Sequence, residues 1–220
     1  MRSCLAVLFL MTSVITSCSL FRSRVTCDQF IDPRLSAIPF SRLAPADIVG
    51  WISETFKLRT GQITVSGASQ PNYDSTTQLN VLWTDGNIEY QAIWANSKKF
   101  IWARLTAQPT VEEVIACIGP PAYYLASKHL YADGYEVSLW YTQRGLIFEH
   151  TVLTRGFRFP APSLEANGNT VIESIMYVES GDIDSLIYNT YGRGVDTDFR
   201  NKLIKALRPW PGKAADMVVD

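Results

Sequence analysis

Apolar and polar positions along this chain follow two periods that alternate from the N-terminus onward. Leu5 to Ile15 is an apolar run broken only by Thr12 and Ser13, and the polar, basic stretch FRSRVT follows soon after it. Pro33 to Pro45 shows no regular period. Ile48, Val49, Ile52 and Phe56 then recur at helical spacing and predict a helix that starts near Pro45 and is closed by Gly61. From Ile63 the period becomes that of strands. Leu79 to Trp83 and Ile88 to Trp94 flank Thr84-Asp85-Gly86-Asn87, a hairpin signature because glycine accepts the positive φ of the turn. GASQPNYDST precedes them as a loop, and Asn96-Ser97 turns the chain into a strand over Phe100 to Leu105.

The second half repeats the order. Thr110 and Glu113 form a capping box ahead of Val111, Val114, Ile115 and Ile118, an apolar helical stripe that Gly119 and Pro120-Pro121 terminate. Tyr135 to Thr142 and Leu146 to Val152 flank Gln143-Arg144-Gly145 as a second hairpin. Phe157 to Asn169 reads as a loop, and Val171 to Val178 as the last strand. A closing helix capped by Asp196 or Asp198 runs to Leu207, with Phe199, Leu203 and Leu207 on one face, before Arg208-Pro209-Trp210-Pro211-Gly212 ends it. The expected class is α+β: helices packed on antiparallel sheet, as two α-β-β-β units sharing one core, with halves at 31–107 and 108–220.

The first apolar run is too short for a spanning helix, which needs roughly 20 residues. With Arg2 before it and small residues after it, it has the shape of a secretory signal. Its end, Ile15-Thr16-Ser17-Cys18, resembles the bacterial lipobox. That resemblance implies a signal peptide over 1–17, removed before Cys18, and a cysteine carrying diacylglycerol and a further acyl chain such as palmitate. Residues 18–30 would be a tether holding a domain over 31–220 at the membrane surface, lipid-anchored and extracytoplasmic.

The chain has 220 residues, 47% hydrophobic and 19% charged, with a formal net charge of −1. That is globular rather than disordered, and the missing basic excess argues against nucleic acid as a partner. Of the four cysteines, Cys4 lies in the signal and Cys18 carries the anchor. Cys27 and Cys117 remain, and two readings stay open: a disulfide suited to an oxidising compartment, or two buried thiols. No Cys/His spacing suggests zinc, and neither Asp182-Ile183-Asp184 nor Asp196-Thr197-Asp198 completes a calcium loop; turn and cap roles explain both. No cofactor is indicated.

Residues 109–150 resemble the SmpA/OmlA type of small lipoprotein domain, and more broadly the β-lactamase-inhibitor-protein-like fold. The residues that carry the likeness are Thr110 before Glu113 and Val114, Gly119 and Pro121, then Leu139-Trp140-Tyr141, Leu146 and Phe148. It implies a short helix ending in a Gly-x-Pro turn on an antiparallel sheet, in lipid-anchored binding or assembly proteins without catalysis.

Catalytic signals are sparse. His129 and His150 are the two histidines and show no ligand spacing. The leading expectation is a non-catalytic, membrane-anchored module that engages an envelope protein or glycan. Two alternatives are a cell-envelope enzyme using a histidine/carboxylate pair, and a glycan binder using exposed aromatics, with Trp94 and Trp102 as the candidate surface.

Overall fold

A computed structural model describes residues 26–68, 78–95, 98–128, 134–153, 166–192 and 196–217. The signal segment 1–17, Cys18, His129 and the loops over 69–77 and 157–165 lie outside the described residues. Among those described, no helix is long and apolar enough to cross a membrane.

The fold is α+β, built on one antiparallel sheet. Helix α1 (Ile48–Phe56) precedes a meander of β1 (Ile63–Ala68), β2 (Gln78–Asp85), β3 (Ile88–Ala95) and β4 (Lys98–Arg104). Helix α2 (Val111–Ile118) precedes a second meander of β5 (Tyr123–Lys128), β6 (Gly134–Tyr141), β7 (Leu146–Leu153) and β8 (Ser174–Val178). Two further helices, α3 (Ile183–Tyr191) and α4 (Thr197–Ala206), lead to the two-residue strand β9 (Arg208–Pro209). The sheet order is β1-β2-β3-β4-β8-β7-β6-β5-β9, so the meanders meet where β4 pairs with β8. Each meander thus carries four described strands rather than three, and β9 is a fifth in the second half.

Local chemistry accounts for most element ends. The Thr110 hydroxyl accepts from the Glu113 amide at 3.3 Å while the Glu113 carboxylate accepts from the Thr110 amide at 2.8 Å, closing the capping box of α2. Asp182 caps α3 through the Ser185 amide at 2.7 Å, and Asp196 caps α4 through the Asp198 amide at 3.1 Å, so both Asp-x-Asp pairs serve helix starts. Gly145 turns β6 into β7 with φ +62°, and a Cβ there would run into the Val178 carbonyl of the neighbouring strand. Both the backbone sign and the close approach require glycine.

Side chains on the two faces of the sheet have different fates. Following the register across the strands, Trp83, Tyr90, Ala103, Ile175, Phe148, Leu139 and Tyr124 occupy one row on one face. Helix α1 covers this face through Ile48, Ile52 and Phe56, and α2 through Val111 and Val114. The adjacent row, Leu82, Gln91, Trp102, Met176, Ile147, Trp140 and Tyr123, lies on the opposite face. There α3 and α4 place Leu186, Ile187 and Leu203 over the second meander and β4. β8, between the meanders, is buried along its whole length.

The segment from Cys27 to Leu43, read from its irregular pattern as tether and loop, is a strap across the helix-covered face. Phe30 meets Phe148 edge-on at 6.1 Å, Phe40 stacks on Trp94 at 5.4 Å, and Leu35, Ile38 and Leu43 are buried. The Lys99 ammonium fastens it by donating to the Phe40 and Leu43 carbonyls, both at 2.9 Å. Residues 27–30, ahead of the expected boundary at residue 31, thus already pack on the sheet through Phe30. Cys27 is disulfide-bonded to Cys117 at the end of α2.

Candidate functional site

The strap brings charged and aromatic groups from distant elements together. Arg34 donates from Nε to Asp32 Oδ1 at 2.9 Å and from Nη2 to Asp32 Oδ2 at 2.7 Å, a two-pronged pair. The same Nη2 reaches Asp85 Oδ2 at 2.6 Å, at the tip of the β2–β3 hairpin. The guanidinium lies 4.1 Å from the centre of the Phe56 ring, adding a cation–π contact from α1. Tyr90 donates its hydroxyl to Asp32 Oδ2 at 3.0 Å, and the Tyr177 hydroxyl oxygen accepts the Asp32 amide at 2.9 Å. The hydrogen bonds that Arg34 donates to Asp32 hold it firmly in its charged form, while burial first, and the Asp32 charge second, push the Tyr90 phenol well above its ordinary value.

Beside this cluster lies a cavity of about 230 Å³. Its floor is apolar, with Ile31, Ile88, Leu105 and Ile175, and its rim carries Asp28, Asp32, Asp85 and Arg34. Three carboxylates against one guanidinium leave the rim formally negative. The described lining includes no serine, threonine, cysteine, histidine or lysine; its hydroxyls are the Tyr90 and Tyr177 phenols, and Tyr90 donates to Asp32. An apolar lining with a few charged groups would suit a small group with an apolar body and a cationic or donor end. A larger groove of about 750 Å³ runs beside α3 and α4; of its charged groups, Asp182 caps a helix and Asp184 pairs with Arg200 at 2.9 Å.

The clasp also ties the strap to the sheet. Asp32's side chain is 8% exposed and Arg34's 38%, so Arg34→Ala strands a nearly buried carboxylate. We expect it to lose about 2–3 kcal/mol in urea unfolding, less than a fully buried pair because Arg34 is partly wet. Arg34→Lys should recover under half of that, since an ammonium cannot reproduce the two-pronged contact.

The residues singled out from the sequence fall elsewhere. Trp94 is fully buried, stacked on Phe40, and its indole N–H donates to the Leu43 carbonyl at 3.1 Å. Trp102 points to the opposite face, half-buried against the cluster that α3 and α4 build on β8. An exposed aromatic surface formed by these two is therefore corrected: strand alternation puts them on different faces, and a strap and a helix cover one each. His150 lies with Nδ1 3.6 Å from Glu173 Oε1, too far for a hydrogen bond, and neither residue lines the clasp cavity, the α3/α4 groove or the small cavity beneath the strap.

A second polar group sits on the α3/α4 face of the sheet, where Ser138, Glu149 and Ser174 adjoin in register and Glu136 follows on β6. Glu136 and Ser138 are buried, and Ser138 Oγ accepts the Trp140 indole N–H at 2.8 Å. Burial, with the Glu136 carboxylate adding like charge, pushes the Glu149 carboxyl up to about 8, against a smaller opposing pull from the Ser174 hydrogen bond.

Sequence reasoning missed the Asp32–Arg34 clasp. Its one local trace is Asp32-Pro33-Arg34, an Asx-type turn in which the Arg34 amide donates to Asp32 Oδ1 at 3.0 Å. Asp85, Tyr90 and Tyr177 come from distant strands. Compared with known proteins, the chain matches no protein-family description, no curated protein and no solved structure.

Proposed function

We propose that this chain is a lipid-anchored, extracytoplasmic protein of the cell envelope that binds or assembles envelope components without catalysis. The observation that carries this reading is Ile15-Thr16-Ser17-Cys18 at the end of a short apolar run with Arg2 ahead of it. Cys18 takes the lipid, and two or more acyl chains make the attachment stable where one is marginal. The Cys27–Cys117 bond supports an oxidising compartment. So does the likeness of residues 109–150 to lipoprotein domains of the SmpA/OmlA type. The cavity beside the Asp32–Arg34 clasp, with apolar lining residues and a few charged groups, supports a binding role.

The test is the intact mass and detergent partition of the expressed chain beside its Cys18→Ala variant. The expected result is a wild-type chain beginning at Cys18 with a lipid-sized mass increment and detergent-phase partition, both lost in the variant. An unmodified wild-type chain that stays in the aqueous phase, or one that retains residues 1–17, overturns the proposal.

A further inference from the structure

The cavity beside the clasp is walled by separate parts of the fold: the strap, the hairpin of β2 and β3, the end of β4, and β8. To its aliphatic floor it adds three rings, those of Phe30, Tyr90 and Tyr177. The hydroxyls of both tyrosines meet Asp32, Tyr90 donating to the carboxylate at 3.0 Å and Tyr177 accepting the amide at 2.9 Å. What these two residues offer a guest is therefore chiefly ring surface.

Charge is spread unevenly over the rim. Arg34 gives Nε and Nη2 to Asp32, so that pair is neutral. Asp85 meets the same guanidinium through Oδ2 alone, and its side chain is 36% exposed. Asp28 is a further carboxylate, which the Thr26 hydroxyl holds below the usual range and so in its charged form. Two negative charges are thus in excess. An anionic guest would be repelled by them, and a neutral apolar guest would take water from them and return nothing. A cation is attracted by both carboxylates and by the faces of the rings. The same corner already holds one cation in this way, the Arg34 guanidinium 4.1 Å from the centre of the Phe56 ring.

We infer that this cavity binds a small organic cation: a protonated amine whose ammonium sits at Asp28 and Asp85 and whose apolar body lies against the rings and the aliphatic floor. At roughly 30 Å³ for each heavy atom, a volume of about 230 Å³ holds about eight of them. That admits an arylalkylamine or a short alkylamine and excludes a nucleotide or an oligosaccharide. The inference rests on the binding role proposed above, to which it gives a ligand class, and it does not depend on lipidation.

The experiment is calorimetric titration at neutral pH of the full chain in mild detergent, and of its Cys18→Ala form without detergent. The probes are phenethylammonium, hexylammonium, uncharged phenylethanol and anionic phenylacetate. At least one ammonium should occupy a single site per chain with a Kd below about 1 mM. Phenylethanol should bind at least about tenfold more weakly, and phenylacetate should not saturate. Asp28→Asn and, independently, Asp85→Asn should each weaken the ammonium about three- to tenfold. Their melting transitions should stay close to that of the wild type, because Asp28 is exposed and an amide oxygen at position 85 can still accept from Arg34. The inference is overturned if neither ammonium saturates in either form, if phenylethanol binds as tightly, or if both asparagine variants bind as the wild type does. The two readings fail separately: an unlipidated wild type that binds the amine removes the anchor alone, and a lipidated one that binds neither amine removes the ligand class alone.

Discussion

Replacing both Cys27 and Cys117 by serine is expected to lower the stability of this fold by about 4–5 kcal/mol. The two residues are 90 apart in sequence, so their bond closes a long loop that takes in α1 and the whole first meander. In the chain-entropy account such a loop restricts the unfolded ensemble far more than a short one would. The folded side adds to this. Cys27 opens the strap, and Phe30, Leu35 and Phe40 are held over the sheet from that point. The check is urea unfolding of the wild type with and without reductant, beside the double serine variant. Reductant should shift the wild-type midpoint to that of the variant. A wild type unmoved by reductant at full exposure to it would show that the bond contributes nothing.

The second large effect is a dependence of stability on pH that runs against the usual carboxylate direction. The Glu149 carboxyl titrates near 8 in the folded protein against 4.5 for the unperturbed group. Between those values the folded chain holds a proton that the unfolded chain has released. Stability is therefore fullest below about pH 4.5, falls as pH rises, and is flat again above about 8 as far as this residue is concerned. The loss should be about 3–5 kcal/mol, at about 1.4 kcal/mol for each unit of displacement. Glu149→Gln keeps the shape and removes the titration. It should unfold at higher denaturant than the wild type at pH 8, match it near pH 5, and lose most of the slope between. An unchanged slope in the variant would assign the dependence to another group.

The elements differ in how far their own residues announce them. The capping box of Thr110 and Glu113, the stripe of Ile48, Ile52 and Phe56, and the Asp85–Gly86 hairpin were readable because each is closed by partners a few residues apart. Three elements were not, among them the two-residue β9, whose Arg208-Pro209 reads only as the end of a helix. β5 is buried on both sides, with Tyr124 on one face and Leu125 on the other, so it shows a continuous run instead of an alternation. α3 buries little more than Leu186, Ile187 and Thr190, and its opening Asp182-Ile183-Asp184 resembles a turn as much as a cap. The clasp was hidden for a different reason: Asp32, Asp85, Tyr90 and Tyr177 are brought together only by sheet register and the path of the strap.

The sequence by itself determined the α+β class, the caps and turns, and the repeated order of helix then strands, because these depend on periodicity and short-range hydrogen bonding. The tertiary structure decided which strand face is covered and by what. It buried Trp94 beneath the strap, turned Trp102 to the other side and paired two residues near the C-terminus with the first two of β5. Each of those outcomes depends on a segment far away in the chain reaching, or not reaching, a surface whose own residues read the same in either case.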